Sequence, residues 1–124
     1  EFVVYGDIDI ELHRKWGIDR ALNVGLNYEF PLWQEDREKL VYEVIDSGFK
    51  AVIKKVNLDC MSEDFLGKTL TKELVKKIKS TGSDVCGENG EYHTFVIDGP
   101  IFNSKIEIKY DKLKVENNCA MSIM

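Results

Sequence analysis

Asn89-Gly90 is the dipeptide that most narrows what this chain can fold into. A two-residue hairpin loop needs positive φ at both central positions, and Asn-Gly tolerates that conformation best. The pair lies within Cys86-Gly87-Glu88-Asn89-Gly90-Glu91-Tyr92-His93-Thr94-Phe95-Val96-Ile97-Asp98-Gly99-Pro100-Ile101-Phe102. A hairpin there would set Glu88 opposite Glu91. Like charges directly opposite each other destabilise a strand pair, so two acids kept at one bend point to a cation, an ammonium group or a shared proton. The competing reading has both acids splayed into water at an exposed loop tip. Downstream, Gly99-Pro100 ends the strand, because proline lacks the amide donor a ladder requires.

Length sets the scale of the fold. The chain has 124 residues, 44% hydrophobic and 31% charged, enough for one moderate core. It reads as a single domain or a fragment over 1-124, and its opening Glu1-Phe2-Val3-Val4-Tyr5 suggests a piece of a longer polypeptide. Residues 1-59 read as the last part of a parallel α/β sheet, and 60-124 as a helix plus antiparallel strands forming a substrate-side portion. A net charge of -5 argues against binding a phosphate backbone or an anionic membrane, so nucleic acid and membrane partners are not expected. No apolar run reaches the roughly 18 residues of a membrane span, and no signal segment is present. A soluble, cytoplasmic protein is expected, with Cys60, Cys86 and Cys119 reduced.

The elements predicted in order support an α/β fold. Phe2 to Tyr5 is a short apolar run suited to a buried parallel strand, broken by Gly6-Asp7. Asp7 or Asp9 is expected to cap a helix from Ile10 to about Val24, with Leu12, Trp16, Ile18 and Leu22 facing the sheet. Gly17 within it costs about 1 kcal/mol relative to alanine. Leu26, Tyr28 and Phe30 alternate along a second strand, and Pro31-Leu32-Trp33 leaves it. A helix from about Asp36 to Asp46 buries Leu40, Val41, Val44 and Ile45, and Phe49 to Val56 is a third strand. Short connections predict a parallel β-α-β-α-β sheet, followed by a helix and an antiparallel hairpin extension. Ligands of open parallel sheets bind beyond the carboxyl ends of the strands, where Gly6-Asp7, Pro31-Leu32-Trp33 and Asn57-Leu58-Asp59 would collect. Thr71 caps a helix to about Ser80, Lys105 to Tyr110 alternates as a half-exposed strand, and Leu113 to Met124 is a further strand across a turn near Asp111-Lys112.

Cys-Gly-Glu-x-Gly-Glu-Tyr-His-Thr followed by Asp-Gly-Pro-x-Phe resembles the signature of the diphthine–ammonia ligase family, a branch of the PP-loop (N-type) ATP pyrophosphatases. Gly6-Asp7-Ile8, Arg14-x-Trp16, Asn23-Val24-Gly25-Leu26, Phe30-Pro31-Leu32-Trp33, Gly48-Phe49 and Leu66-Gly67-Lys68 follow the family's order. The resemblance covers about Val3 to Phe102 and is closest to bacterial members. It departs from them at Gly17, Ile18, Ala21 and Leu22, where cysteine and glutamate are expected. The resemblance implies activation of a carboxylate as an acyl-adenylate with release of pyrophosphate, then attack by ammonia to give an amide, as in diphthamide biosynthesis. It implies ATP with Mg2+ in the full-length protein. The family's Ser-Gly-Gly-x-Asp-Ser phosphate loop does not occur among these residues, so this chain alone is expected to bind no nucleotide and to be inactive.

The candidate catalytic residues are Glu88 and Glu91, which could position ammonium or remove its proton, since a carboxylate beside a like charge has a raised pKa. Asp7, Trp33, Asn89, Gly90, Tyr92, Thr94 and Asp98 are the candidate substrate-binding residues. Trp33 and Tyr92 could cover a cationic substrate end, or serve as ordinary core aromatics. Asp7 is either a site carboxylate or a helix cap, and Asp98 caps the Gly99-Pro100 turn or touches substrate. Arg14 could pair with Asp7 or meet a phosphate. His93, adjacent to Tyr92, points to the other strand face, and no metal is assigned. Lys68, Lys72, Lys76 and Lys79 share a helical face that is solvated or, as the lesser reading, docks an acidic partner or RNA. The partners expected are a small-molecule or protein-side-chain carboxylate, ammonia, and a second copy of the chain through the apolar strand Phe2 to Tyr5. Residues 6-7, 31-33 and 88-91 are expected to converge on one cleft. The alternative is a non-catalytic small-ligand or partner-binding module; a metal-dependent hydrolase using Glu88, Glu91, His93 and Asp98 ranks last.

Overall fold

The computed structural model describes the backbone of residues 1-109 and 112-123, and the side chains of all of these except 112, 113, 122 and 123. Strands and helices alternate through the first half and strands dominate the second, a mixed α/β architecture. The chain divides into two compact units, Glu1–Lys39 and Leu40–Met124.

In the first unit, β1 (Phe2–Val4) and β2 (Asn27–Glu29) pair in parallel, in register from Phe2 opposite Asn27 to Val4 opposite Glu29. The helix α1 (Glu11–Asn23) makes the crossover that parallel pairing demands. Its covered face differs from the expected one. Gly17 and Ala21 are buried, whereas Leu12, Trp16 and Leu22 are 80%, 61% and 59% exposed. The reason lies in the aromatic rings below. Tyr5 stacks on Phe30 with centroids 4.9 Å apart, and the Tyr5 hydroxyl donates to the Gly17 carbonyl at 2.8 Å. A Cβ on Gly17 would lie 3.1 Å from the Tyr5 ring and 3.2 Å from Phe30, so only the small-residue stripe lets the helix approach. Gly17 is therefore the contact point of α1, not a flaw in it. Neither Asp7 nor Asp9 caps this helix: Ile10 occupies the cap position without a side-chain bond, because both acids have other partners.

In the second unit, β3 (Lys50–Asn57) does not extend the parallel sheet. It lies in a four-stranded antiparallel sheet of order β4-β3-β6-β5, with β4 at Tyr92–Asp98, β5 at Lys112–Glu116 and β6 at Cys119–Ile123. Both of its edges are occupied. One carries β4 along its whole length; the other is shared between β6, opposite Lys55 to Asn57, and the segment 67-70. In that segment Gly67 N–H donates to Ile53 O, Ile53 N–H to Lys68 O and Leu70 N–H to Ala51 O. A third parallel partner has no edge left to join.

The core of this unit forms where α3 (Lys72–Ser80) covers the sheet. Thr71 caps α3 as expected, its hydroxyl oxygen accepting the Leu74 N–H at 3.2 Å, and Leu74, Val75 and Ile78 meet Ile53, Val56, Tyr92 and Ala120. The helix α2 (Arg37–Asp46) contributes Val41, with Tyr42 and Ile45 beside it; Val44, expected inside, is 43% exposed. Lys105 to Lys109 forms no strand, making a single backbone bond to β4 from Ile106 N–H to Ile97 O. Tyr110 and the turn expected at Asp111 lie outside the described residues. The single strand expected from Leu113 onward is split into β5 and β6 by a turn at Asn117-Asn118, both with positive φ.

Candidate functional site

The loop between α3 and β4 is assembled around one buried side chain. Glu91 is 7% exposed. Its Oε1 accepts the Asp84 N–H at 3.1 Å and the Asn89 side-chain amide at 3.3 Å, and its Oε2 accepts the Asn89 N–H at 3.1 Å. Burial alone would raise its pKa, but these donors, with its own N–H, outweigh burial and hold the carboxyl below its ordinary value. Glu91 is thus an ionised anchor at neutral pH and not a carboxyl poised to gain a proton.

Asp84, which the sequence reading passed over, is the second organiser. Its Oδ2 accepts the Glu88 N–H at 2.8 Å while its carbonyl accepts the Gly87 N–H at 3.1 Å. An Asp three residues before a Gly is the turn signal that marks it. The Gly90 N–H closes on Gly87 O at 3.0 Å, so the bend is centred on Glu88 and Asn89, not on Asn89-Gly90. Asn89 does not take positive φ and β4 starts only at Tyr92, so the expected two-residue hairpin, with Glu88 and Glu91 opposed across it, does not form. The loop's own carboxylate bonds outcompete the primed turn.

Gly87 (φ 71°) fits because its missing Cβ would lie 2.8 Å from the Tyr92 carbonyl oxygen. Tyr92 itself belongs to the core, 4% exposed, its hydroxyl donating to Val85 O at 2.5 Å. Burial, then the charges of Cys86, Asp84, Glu91 and Glu88, push its phenol far up. Asp84, Glu88 and Glu91 put three acidic residues into this one loop. Thr94 follows on β4 and is exposed. Asp98 stands at the opposite end of that strand, about 20 Å from Tyr92 at strand rise. There its carboxylate accepts the Gly99 N–H at 2.9 Å, the turn-capping role.

In the first unit, the segments that follow β1 and β2 are tied together by the Gln34 N–H donating to Ile8 O at 2.7 Å. Asp7 meets His13 Nδ1 at 3.4 Å. The ring of Trp33 carries the Arg14 guanidinium 5.0 Å from its centroid and packs edge-on to Phe30. Trp33 does hold a cation, and that cation is the protein's own. Asp9 is clamped by Arg37, with Nη2 to Oδ1 at 2.5 Å and Nε to Oδ2 at 2.9 Å, which lowers its pKa.

Nucleotide phosphates need a glycine-rich run of backbone amides at a helix N-terminus. Here the approach to α1 carries Asp7 and Asp9, Asp36 accepts the Lys39 N–H at the start of α2, and Thr71 closes α3. None of these three helix starts among the described residues offers a glycine-rich run of that kind. Among the described residues no three His, Cys, Asp or Glu side chains cluster to hold a metal, no disulfide forms, and no helix is long and apolar enough to cross a membrane.

Fold and site together define a mixed α/β chain whose antiparallel half presents an acid-lined loop built by a buried glutamate. Residues 36-123 match the model of the diphthamide synthase C-terminal domain, and the chain belongs to that family. It is 44% identical over 81 residues to the diphthine–ammonia ligase of Mus musculus, covering 62% of this chain and 30% of that protein. With the diphthine–ammonia ligase of Homo sapiens the identity is 39% over 90 residues, 69% of this chain and 34% of the relative. With that of Schizosaccharomyces pombe it is 38% over 90 residues, 70% of this chain and 15% of the relative. The chain thus spans about a third or less of the length of these curated relatives.

Proposed function

We propose that this chain is the substrate-side portion of an ATP-dependent ligase that converts a carboxylate to an amide with ammonia, acting within a longer polypeptide whose phosphate loop holds ATP and Mg2+. The observation that carries the reading is the loop 84-91, where Glu91 is committed to building the bend and the Glu88 backbone is fixed within it by the Asp84 carboxylate. Glu88 then serves as the carboxylate that holds ammonium and removes its proton for attack, while Glu91, Asp84 and Gly87 fix its position. The negative charge carried by Asp84, Glu88 and Glu91 in this loop would draw ammonium toward it. Asn89, Gly90 and Thr94 border it as substrate contacts, with Asp7, Trp33 and Asp98 as further contacts in the complete protein. A cytoplasmic location, and association of the chain with a second copy, belong to the same reading.

The test is made in the full-length protein. Glu88→Gln should abolish most amide formation while ATP binding is retained. Unchanged turnover in that variant, or absence of a Ser-Gly-Gly-x-Asp-Ser loop from the complete coding sequence, would favour a non-catalytic binding module.

A further inference from the structure

The outer face of the antiparallel sheet carries cations that the ligase reading leaves unused. Val56 and Tyr92 are paired across β3 and β4 and both lie in the core, so their paired neighbours Lys55 and His93 are on the opposite face. Strict alternation from buried Ile53 would have turned Lys55 inward. The register slips between Ile53 and Lys55, and the extra residue of this bulge is Lys54, which is exposed. The bulge therefore sets Lys54 and Lys55 side by side on the outer face, next to His93. Lys55 also opposes Met121, which opposes Lys114, so His93, Lys55, Met121 and Lys114 form a row across the four strands.

Lys114 is neutralised by Glu116 at 2.5 Å. The side chains of Lys54, Lys55 and His93 have no hydrogen bond or ion pair among the described residues, in a chain whose net charge is -5. Cations crowded on one face destabilise strand pairing, and an anion seated among them offsets that repulsion.

We propose that Lys54, Lys55 and His93 form a binding site for a compact oxyanion, a carboxylate or a phosphate, carried by the substrate. The ammonium groups act as point charges and the imidazole as a directional donor. Only the assignment of the anion to the substrate rests on the ligase reading; the site itself rests on the bulge and the register.

The experiment is an NMR titration of the labelled 124-residue chain with sodium phosphate and, separately, with sodium glutarate, each against sodium chloride at matched ionic strength. The expected result is saturable shifts at Lys54, Lys55 and His93 that exceed those at Lys76 and Lys77 of α3, with affinity reduced about tenfold in Lys55→Gln and in Lys54→Gln. A response to phosphate alone or to glutarate alone supports the site and identifies its anion. Shifts reproduced by chloride, or spread evenly over the α3 lysines, overturn it. Saturable binding in a protein whose full-length form makes no amide would keep the site and remove the ligase reading; amide formation without saturable binding would do the reverse.

Discussion

The Glu91 carboxylate accepts the backbone N–H of Asp84, seven residues upstream, and thereby closes the loop that precedes β4. Replacing it with glutamine keeps the shape but removes a charged acceptor from two backbone amides, so Glu91→Gln should lose about 2 kcal/mol in denaturant unfolding. The depressed folded pKa fixes the pH dependence. Glu91 contributes its full stabilisation above its unfolded value of about 4.3, and that contribution disappears as pH falls through the lower folded value. Wild type and variant should therefore converge in stability as the pH is lowered below that unfolded value.

Gly87 and Gly90 offer a matched pair of substitutions in the same loop. Both have positive φ, but a Cβ at Gly90 meets nothing within 4 Å whereas one at Gly87 meets the Tyr92 carbonyl at 2.8 Å. Gly90→Ala should cost about 1 kcal/mol of backbone strain. Gly87→Ala should cost about 3 kcal/mol or displace the start of β4, visible as loss of amide-exchange protection at Tyr92.

At Gly17 two effects oppose each other. Alanine gains about 1 kcal/mol of helix propensity, yet its methyl would press on rings that cannot easily retreat. Tyr5 is stacked on Phe30 and tethered through its hydroxyl to the Gly17 carbonyl. Gly17→Ala should be net destabilising by about 1 kcal/mol, and a measured gain in melting temperature would show that the ring pair yields.

Glu88 should separate catalysis from stability. Glu88→Gln lies on a half-buried loop position, so unfolding should change by only about 0.5 kcal/mol, while turnover of the full-length protein falls at least about tenfold. Glu91→Gln should lower both together.

The first unit exposes Phe2, Val4, Leu12, Trp16, Leu22 and Val24, and among the described residues β1 has a single strand neighbour. Surfaces of this kind associate. Light scattering of the 124-residue chain should give a dimer or larger species, reduced by Phe2→Lys; a monodisperse monomer contradicts the expectation.

Local signals were read well because local chemistry decides them. The Thr71 cap, the helices starting near Asp36 and ending at Gly48 or Gly82, and the eight residues of β3 all follow from nearby residues. So does the opposite facing of Tyr92 and His93. The α1 stripe misled because periodicity reveals an apolar face without revealing which face is covered, and Gly17 was legible only once Tyr5 and Phe30 were seen beneath it. The partners of β3 are set by residues far along the chain, which no local pattern reports. Asn89-Gly90 lost to carboxylate bonds made within the loop itself, whose signal was the Asp84 turn and not the Asn-Gly pair, while Asn117-Asn118 takes positive φ at both positions.

The divided edge of β3 makes the second unit separable in time. The tail hairpin grips β3 through three ladder positions, a Leu58 N–H bond to Asn118 O and the contact of the Asn118 amide with Asp59. The bonds from 67-70 to Ala51 and Ile53 do not depend on it. Opening can therefore begin at 112-123 and stop there, exposing Val56 and Ala120 while α3 stays docked over Ile53. The tail behaves as a clasp over one end of the core, and its amides should exchange with solvent well before those of the strand it closes upon.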